Sequence, residues 1–229
     1  MSDLVSGPRT PTQESFDFLV ESARAVTDED YKALLDIILE DEGFVARLKA
    51  APAAKAVHHS YPGGLVEHTA SMLRLCHTAL ELYDELDADL LVTSCILHDI
   101  GKMTEYNEEM VVERTTEGRL LGHIVLGLMV VDEYIRRLGS FPREKRMALM
   151  HVLVSHHGSL EWGSPQVPMT LEAVALHFID NLDAKLNQFR QVIKTRKDPE
   201  FDGWTTYDKL LERYLYFGGS TRSQEDGED

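Results

Sequence analysis

Histidines and aspartates are distributed along this chain as ligands for a divalent cation would be. The pair His98-Asp99 closes the run "LLVTSCILHDIGK". Leu90 to Leu97 reads as an apolar helix that Gly101 is placed to end, which sets Asp99 at the negative end of a helix dipole. An anion there is disfavoured by a few tenths of a kcal/mol up to roughly 1 kcal/mol, and a bound cation would reverse the sign. His68 lies upstream in "GGLVEHT", and His123, His156, His157 and Asp180 follow downstream. A His, an adjacent His-Asp and a distant Asp form a mixed imidazole and carboxylate set. Such a set suits manganese, iron, zinc or nickel better than calcium.

Each of these residues also has a plain structural use. His68 falls on the apolar side of its helix between Leu65 and Met72, where a lone histidine is commonly a satisfied core residue. His156 and His157 precede Gly158 and can bond the free carbonyls of a helix end. Asp180 is harder to explain away, because its helix side carries Ala173, Leu176 and Ala184 and a buried unpaired carboxylate costs several kcal/mol. The combination decides: four helices each deliver a His or an Asp, and helical bundles build metal sites from side chains on facing helices.

The elements that must position these residues follow from apolar spacing. Helical periodicity runs from Glu14 to about Glu42 through Phe18, Leu19, Ser22 and Val26, then Tyr31, Leu34, Leu35 and Ile38, with Asp28 as an N-cap. A short helix surrounds Phe44 and Leu48, and residues 51–64 read as a loop. Further helices are expected over Leu65–Leu86, Leu121–Leu138, Arg143–His157 and Thr170–Phe189, the last apolar on most of its circumference and therefore central. Residues 104–120 read as irregular with a short hairpin through "VVERTTEGRL", and residues 1–12 as a loose arm. No strand pattern is sustained, so the fold class is all-α. The expected domains are an N-terminal helical extension (1–50), a catalytic domain (51–217) and a disordered acidic tail (218–229).

Composition is that of an ordinary globular protein, 43% hydrophobic and 27% charged. No stretch reaches the roughly 18 apolar residues of a membrane span, and the N-terminus lacks the pattern of a signal peptide. Cys76 and Cys95 read as buried thiols in a reducing compartment, which makes the cytoplasm the expected location. The formal net charge of −16 argues against a surface coated for polyanions, while leaving room for a local basic groove.

With those residues in place, the sequence resembles the HD superfamily, whose pattern H…HD…D is matched in order by His68, His98, Asp99 and Asp180. The fuller resemblance is to the HD domain of the YhaM-type 3′–5′ exoribonucleases. It runs from about Val57 to Gln188 through "HHSYPGGLVEHT", "LHDIGK", "TTEGRLLGHI", "SHHGSLEWGSP" and "LHFIDNLDAKL". The resemblance implies an HD helical bundle and a phosphohydrolase working through a metal-bound hydroxide. It also implies two divalent ions, manganese favoured, with iron, cobalt, nickel, zinc or magnesium as alternatives. His123 and His156 match second-metal positions, and Asp99 would bridge the ions as a catalytic residue. Lys102 matches a position that can turn toward the scissile phosphate, its other reading being a solvated charge. His157 is open between ligand, phosphate contact and helix cap, and His59 between pocket lining and plain loop residue.

Single-stranded RNA or an oligonucleotide is the implied substrate, and a small nucleotide is the alternative. A non-catalytic module that senses a nucleotide or binds a partner is the third reading; no membrane is involved, and a homo-oligomer is left open. The first 50 residues are helical in pattern rather than the OB-fold that precedes the HD domain in YhaM-type enzymes. The resemblance thus speaks more for the chemistry than for the substrate. A basic cluster, Arg190, Lys194, Arg196 and Lys197, is the best sequence candidate for gripping a phosphate backbone.

Overall fold

The computed structural model describes residues 10–54, 61–107, 112–195, 197–198, 202–209 and 211–218. The described residues are mainly helical and contain no strand; extended pairing among them is limited to isolated bridges such as Tyr106 with Arg114. Two compact units divide the chain, residues 1–183 and residues 184–229.

In the first unit, α1 (Pro11–Ala25), α2 (Glu29–Leu39) and α3 (Glu42–Ala50) share one apolar core with α4 (Gly64–Leu82), α5 (Ala88–Leu97), α7 (Thr116–Leu138) and α8 (Arg143–Ser155). The starts of these helices are written in their caps. Asp28 accepts from the amides of Asp30 and Tyr31, Asp41 from Phe44, Asp87 from Leu90 and Thr115 from Gly118. Each such cap contributes about 1 kcal/mol. The chain expected to be a loose arm up to residue 12 is already helical at Pro11, because Thr10 caps α1 and proline suits the first helical position.

The centre of the unit is α5, in which every residue from Leu90 to Leu97 is buried. The central place expected for α9 (Leu171–Thr195) is therefore not observed. Ala173, Leu176 and Ile179 of α9 are buried, while Leu171, Val174 and Phe178 face solvent. Only one stripe of the helix, Ala173, Leu176 and Ile179, turns inward beside Asp180, and a second apolar stripe through Leu171, Phe178, Leu182 and Leu186 is left outside.

The segment 104–120, expected to be irregular, is helical at both ends and non-helical at its described middle residues. The short α6 (Lys102–Glu105) is followed by the Tyr106–Arg114 bridge, and α7 begins at Thr116. Gly118 allows this early start, since a Cβ there would lie 2.3 Å from the Glu105 carbonyl oxygen. A single 3-10 turn, Leu160–Trp162, interrupts the loop between α8 and α9. In the second unit, Val192, Leu211 and Leu215 form a small core. Arg190, Lys194 and Lys197 are exposed there, and Arg196 lies outside the described residues.

Candidate metal centre

Four close backbone arrangements bring the histidines and aspartates together. His98 caps the C-terminus of α5 and Asp99 follows it. Gly101, expected to end that helix, has φ −63° and so does not use glycine's left-handed freedom. Its lack of a side chain serves contact instead: a Cβ would lie 1.9 Å from the His123 carbonyl oxygen and 2.5 Å from the Gly127 nitrogen. Only glycine lets the turn after Asp99 touch α7. Within α7, Gly122 has φ 72° and ψ 160°, a kink that sets the direction of His123. His156 caps α8, and Gly158 (φ 79°) turns the chain beneath His177, whose ring would lie 2.2 Å from a Cβ at that position.

The imidazoles are oriented from behind. His98 Nδ1 donates to the Cys95 carbonyl at 2.8 Å, and His156 Nδ1 donates to the Leu153 carbonyl at 2.7 Å. His68 Nδ1 donates to Asp183 Oδ2 at 2.7 Å and His123 Nδ1 to Glu105 Oε2 at 3.0 Å. Carbonyl and carboxylate oxygens can only accept, so each Nδ1 carries a proton and Nε2 is the ring atom left to face a cation. Asp183 is itself held by the Ser71 hydroxyl at 2.6 Å.

These Nε2 atoms surround Asp99. Asp99 Oδ2 lies 3.2 Å from His98 Nε2 and 3.6 Å from His68 Nε2, which is 3.3 Å from Asp180 Oδ1. Asp99 Oδ1 faces the other way, 3.5 Å from His123 Nε2 and 3.8 Å from His156 Nε2. Two sets result, each with ligand atoms within 4.8 Å of one another: His68, His98 and Asp180, and His123, His156 and His157. His98 Nε2, His123 Nε2, His156 Nε2 and Asp99 Oδ1 are buried without a hydrogen-bond partner among the described residues. Leaving such groups unsatisfied costs about 1–3 kcal/mol each. Divalent cations on either side of Asp99 would satisfy all four, so the residues present fit the metal that the HD pattern calls for.

Electrostatics agrees with the geometry. Burial pushes the Asp99 carboxyl up, but the Lys102 ammonium, 2.5 Å from Oδ2, and His98 outweigh it and hold the group well below the ordinary carboxylate range. Burial drives His156 well below the usual histidine value, and His157 down less far, so both favour the neutral, ligating form. His68 behaves differently without an ion: burial lowers it, yet Asp180 and Asp183 raise it to about 9. An incoming cation there replaces a proton.

Of the residues singled out from sequence, the structure brings His68, His98, Asp99, His123, His156, Asp180 and Lys102 together. His157 lies beside His123 and His156, with ring centroids 5.0 and 4.5 Å away, and its Nδ1 donates to the Trp162 carbonyl at 3.1 Å. His59 and its neighbour His58 lie outside the described residues. Sequence reasoning missed Asp183 and Glu105. Asp183 is three residues after Asp180 and so on the same helix side, a signal available in the spacing. Glu105 carries none.

A family model described as the HD domain matches residues 65–185. The 3′-5′ exoribonuclease YhaM of Bacillus pumilus (strain SAFR-032) is 42% identical over 150 residues, covering 66% of this chain and 48% of that protein. The proteins of the same name from Geobacillus sp. (strain WCH70) and Bacillus subtilis (strain 168) are 43% and 42% identical over 150 residues, with 46% and 48% of their lengths covered. The chain thus spans about half the length of the curated relatives it matches. No solved structure matches it.

Proposed function

This chain belongs to the HD-domain family, and from that premise we propose that it is a hydrolytic enzyme. Its proposed activity is that of a divalent-metal-dependent phosphodiesterase, shortening single-stranded RNA from the 3′ end in the reducing cytoplasm. The observation that carries this reading is Asp99, a buried carboxylate with one oxygen facing each of two histidine sets whose Nε2 atoms converge on it. The substrate class rests on the named relatives.

In this reading His68, His98, Asp99 and Asp180 hold one ion, and Asp99, His123, His156 and His157 hold the other. Bound there, the ions would supply Lewis-acid charge and an activated water for attack on the phosphodiester. The nitrogen-rich second set leans toward iron, nickel or zinc, whereas manganese suits the carboxylate-bearing first set. Lys102 neutralises Asp99 in the resting protein and has the reach to turn its ammonium toward a phosphate oxygen. Cys76 and Cys95 are buried, away from solvent, so no thiol is offered as nucleophile and water attacks directly.

The test uses the full chain, reconstituted with each metal and given 5′-labelled single-stranded RNA, single-stranded DNA and a panel of nucleotides. A ladder of shortened 5′-labelled RNA supports the proposal. The acidic balance of −16 favours one second reading, a phosphohydrolase of small nucleotides. Phosphate release from mononucleotides alone would establish that reading instead. No turnover with any metal would leave a nucleotide-sensing or partner-binding module.

A further inference from the structure

Beside the histidine sets the protein exposes aromatic rings that its own packing does not use. Trp162 is 59% exposed and Phe178 63% exposed. Between them stands His177, its centroid 5.8 Å from Trp162 and 4.9 Å from Phe178. This row is fixed to the metal centre at three points. The Trp162 carbonyl accepts from His157 Nδ1, and His177 Nδ1 donates to the His156 carbonyl at 2.9 Å. His177 also lies one helical turn before Asp180 on α9. The left-handed Gly158 makes the seat under His177 possible.

Resting on the phosphodiesterase reading above, we infer that Trp162, backed by His177 and continued by Phe178, is the platform on which a nucleobase next to the scissile phosphate stacks. The ligand is a nucleobase of single-stranded nucleic acid. Every base offers a π-face, so such a platform grips without selecting sequence. The charge of the chain makes this grip necessary. At −16 the protein draws little from attraction to phosphates as a whole, and affinity must come from contacts that salt does not screen. A broad ring whose own backbone carbonyl holds His157 supplies that contact and also sets the register of the phosphate.

Trp162→Ala and Trp162→Phe in the metal-loaded full chain test this on a 5′-labelled RNA oligonucleotide and on copies carrying an abasic residue at the terminal or penultimate 3′ position. Trp162→Ala should lower kcat/KM roughly 5- to 150-fold on the intact oligonucleotide. The loss should appear in KM, be the same at low and high salt, and leave the metal content unchanged. Trp162→Phe should recover most of it. On one abasic copy, wild type and Trp162→Ala should converge. A second readout is independent of turnover. Trp204 is the other tryptophan, so in a Trp204→Phe chain the emission of Trp162 should be quenched by a phosphorothioate oligonucleotide, and more weakly by a mononucleotide. An equal loss on intact and abasic substrates would make Trp162 a structural residue and overturn the inference. No loss and no quenching would hand the exposed rings to a protein partner, again overturning it. In both cases RNA shortening by wild type would leave the proposed function standing; a wild type that neither binds nor shortens oligonucleotides would remove both.

Discussion

At the scale of single residues the centre is an arrangement of lone pairs. Asp99 offers one oxygen to each side, so Asp99→Ala should strip a ligand from both ions and abolish activity. His123→Ala or His156→Ala should lower the metal count from about two per chain to about one, with the fold retained; elemental analysis after gel filtration reads both. One metal in the wild type would defeat the binuclear assignment. The residues behind the ligands matter too. In Asp183→Asn the acceptor of His68 Nδ1 loses its charge, and metal affinity should fall roughly 10- to 100-fold while circular dichroism stays unchanged. Competition with a chelating dye measures this, and an unchanged affinity would make Asp183 a packing residue. Ligand-type residues were legible in the sequence because their chemistry is unusual in apolar helices. Glu105 was not, since a glutamate after a helix-ending turn looks solvated and only the fold shows it 2% exposed behind His123.

At the scale of elements the ligands depend on glycines that sequence reasoning misread or passed over. Gly101 looked like a helix-ending residue and is a point of backbone contact with α7; that contact is tertiary, and no local pattern encodes it. Gly122 drew no reading from the sequence and is a kink at φ 72°, with nothing within 4 Å of where its Cβ would be. Alanine there meets no clash but must hold an extended positive-φ backbone that glycine almost alone adopts, at a cost of roughly 1–3 kcal/mol, or let α7 straighten and swing His123 away. Gly122→Ala should therefore lose the second metal with only a small fall in Tm. Titration of metal into the variant, alongside a thermal melt, checks this; full second-site affinity would show that the kink does not aim His123. Helix α9 was misplaced at the centre for a related reason. Hydrophobicity counted around a helix says how much apolar surface exists, and cannot say which part of it a neighbour covers.

For the molecule as a whole, the all-α class was legible from period and caps, and the matching of His68, His98, Asp99 and Asp180 from order along the chain. The division of the ligands around Asp99 came from the family resemblance and not from spacing, because it depends on rotamers fixed by carbonyls three residues back for His98 and His156 and by the Asp183 and Glu105 carboxylates for His68 and His123. Metal binding should register in global stability. One site held at a hundredfold excess over its Kd stabilises the folded state by about 2.7 kcal/mol. In a unit of this size, chelation should lower Tm by about 5–10 °C per such site. Differential scanning calorimetry with and without chelator measures it, and an identical Tm would mean that the purified protein holds no metal.

The burial of α5 from Leu90 to Leu97 has a consequence for how the protein breathes. A helix with no solvent-facing side cannot open its amides by fraying away from a neighbour, so their deuterium uptake must wait for the whole unit to come apart. The slowest-exchanging amides are then the ones that end at His98 and Asp99. Their exchange rate becomes an internal clock for global opening, slowing by the full binding free energy when ions are added. Amides in the aromatic ledge around Trp162 would slow only when a nucleic acid occupies it.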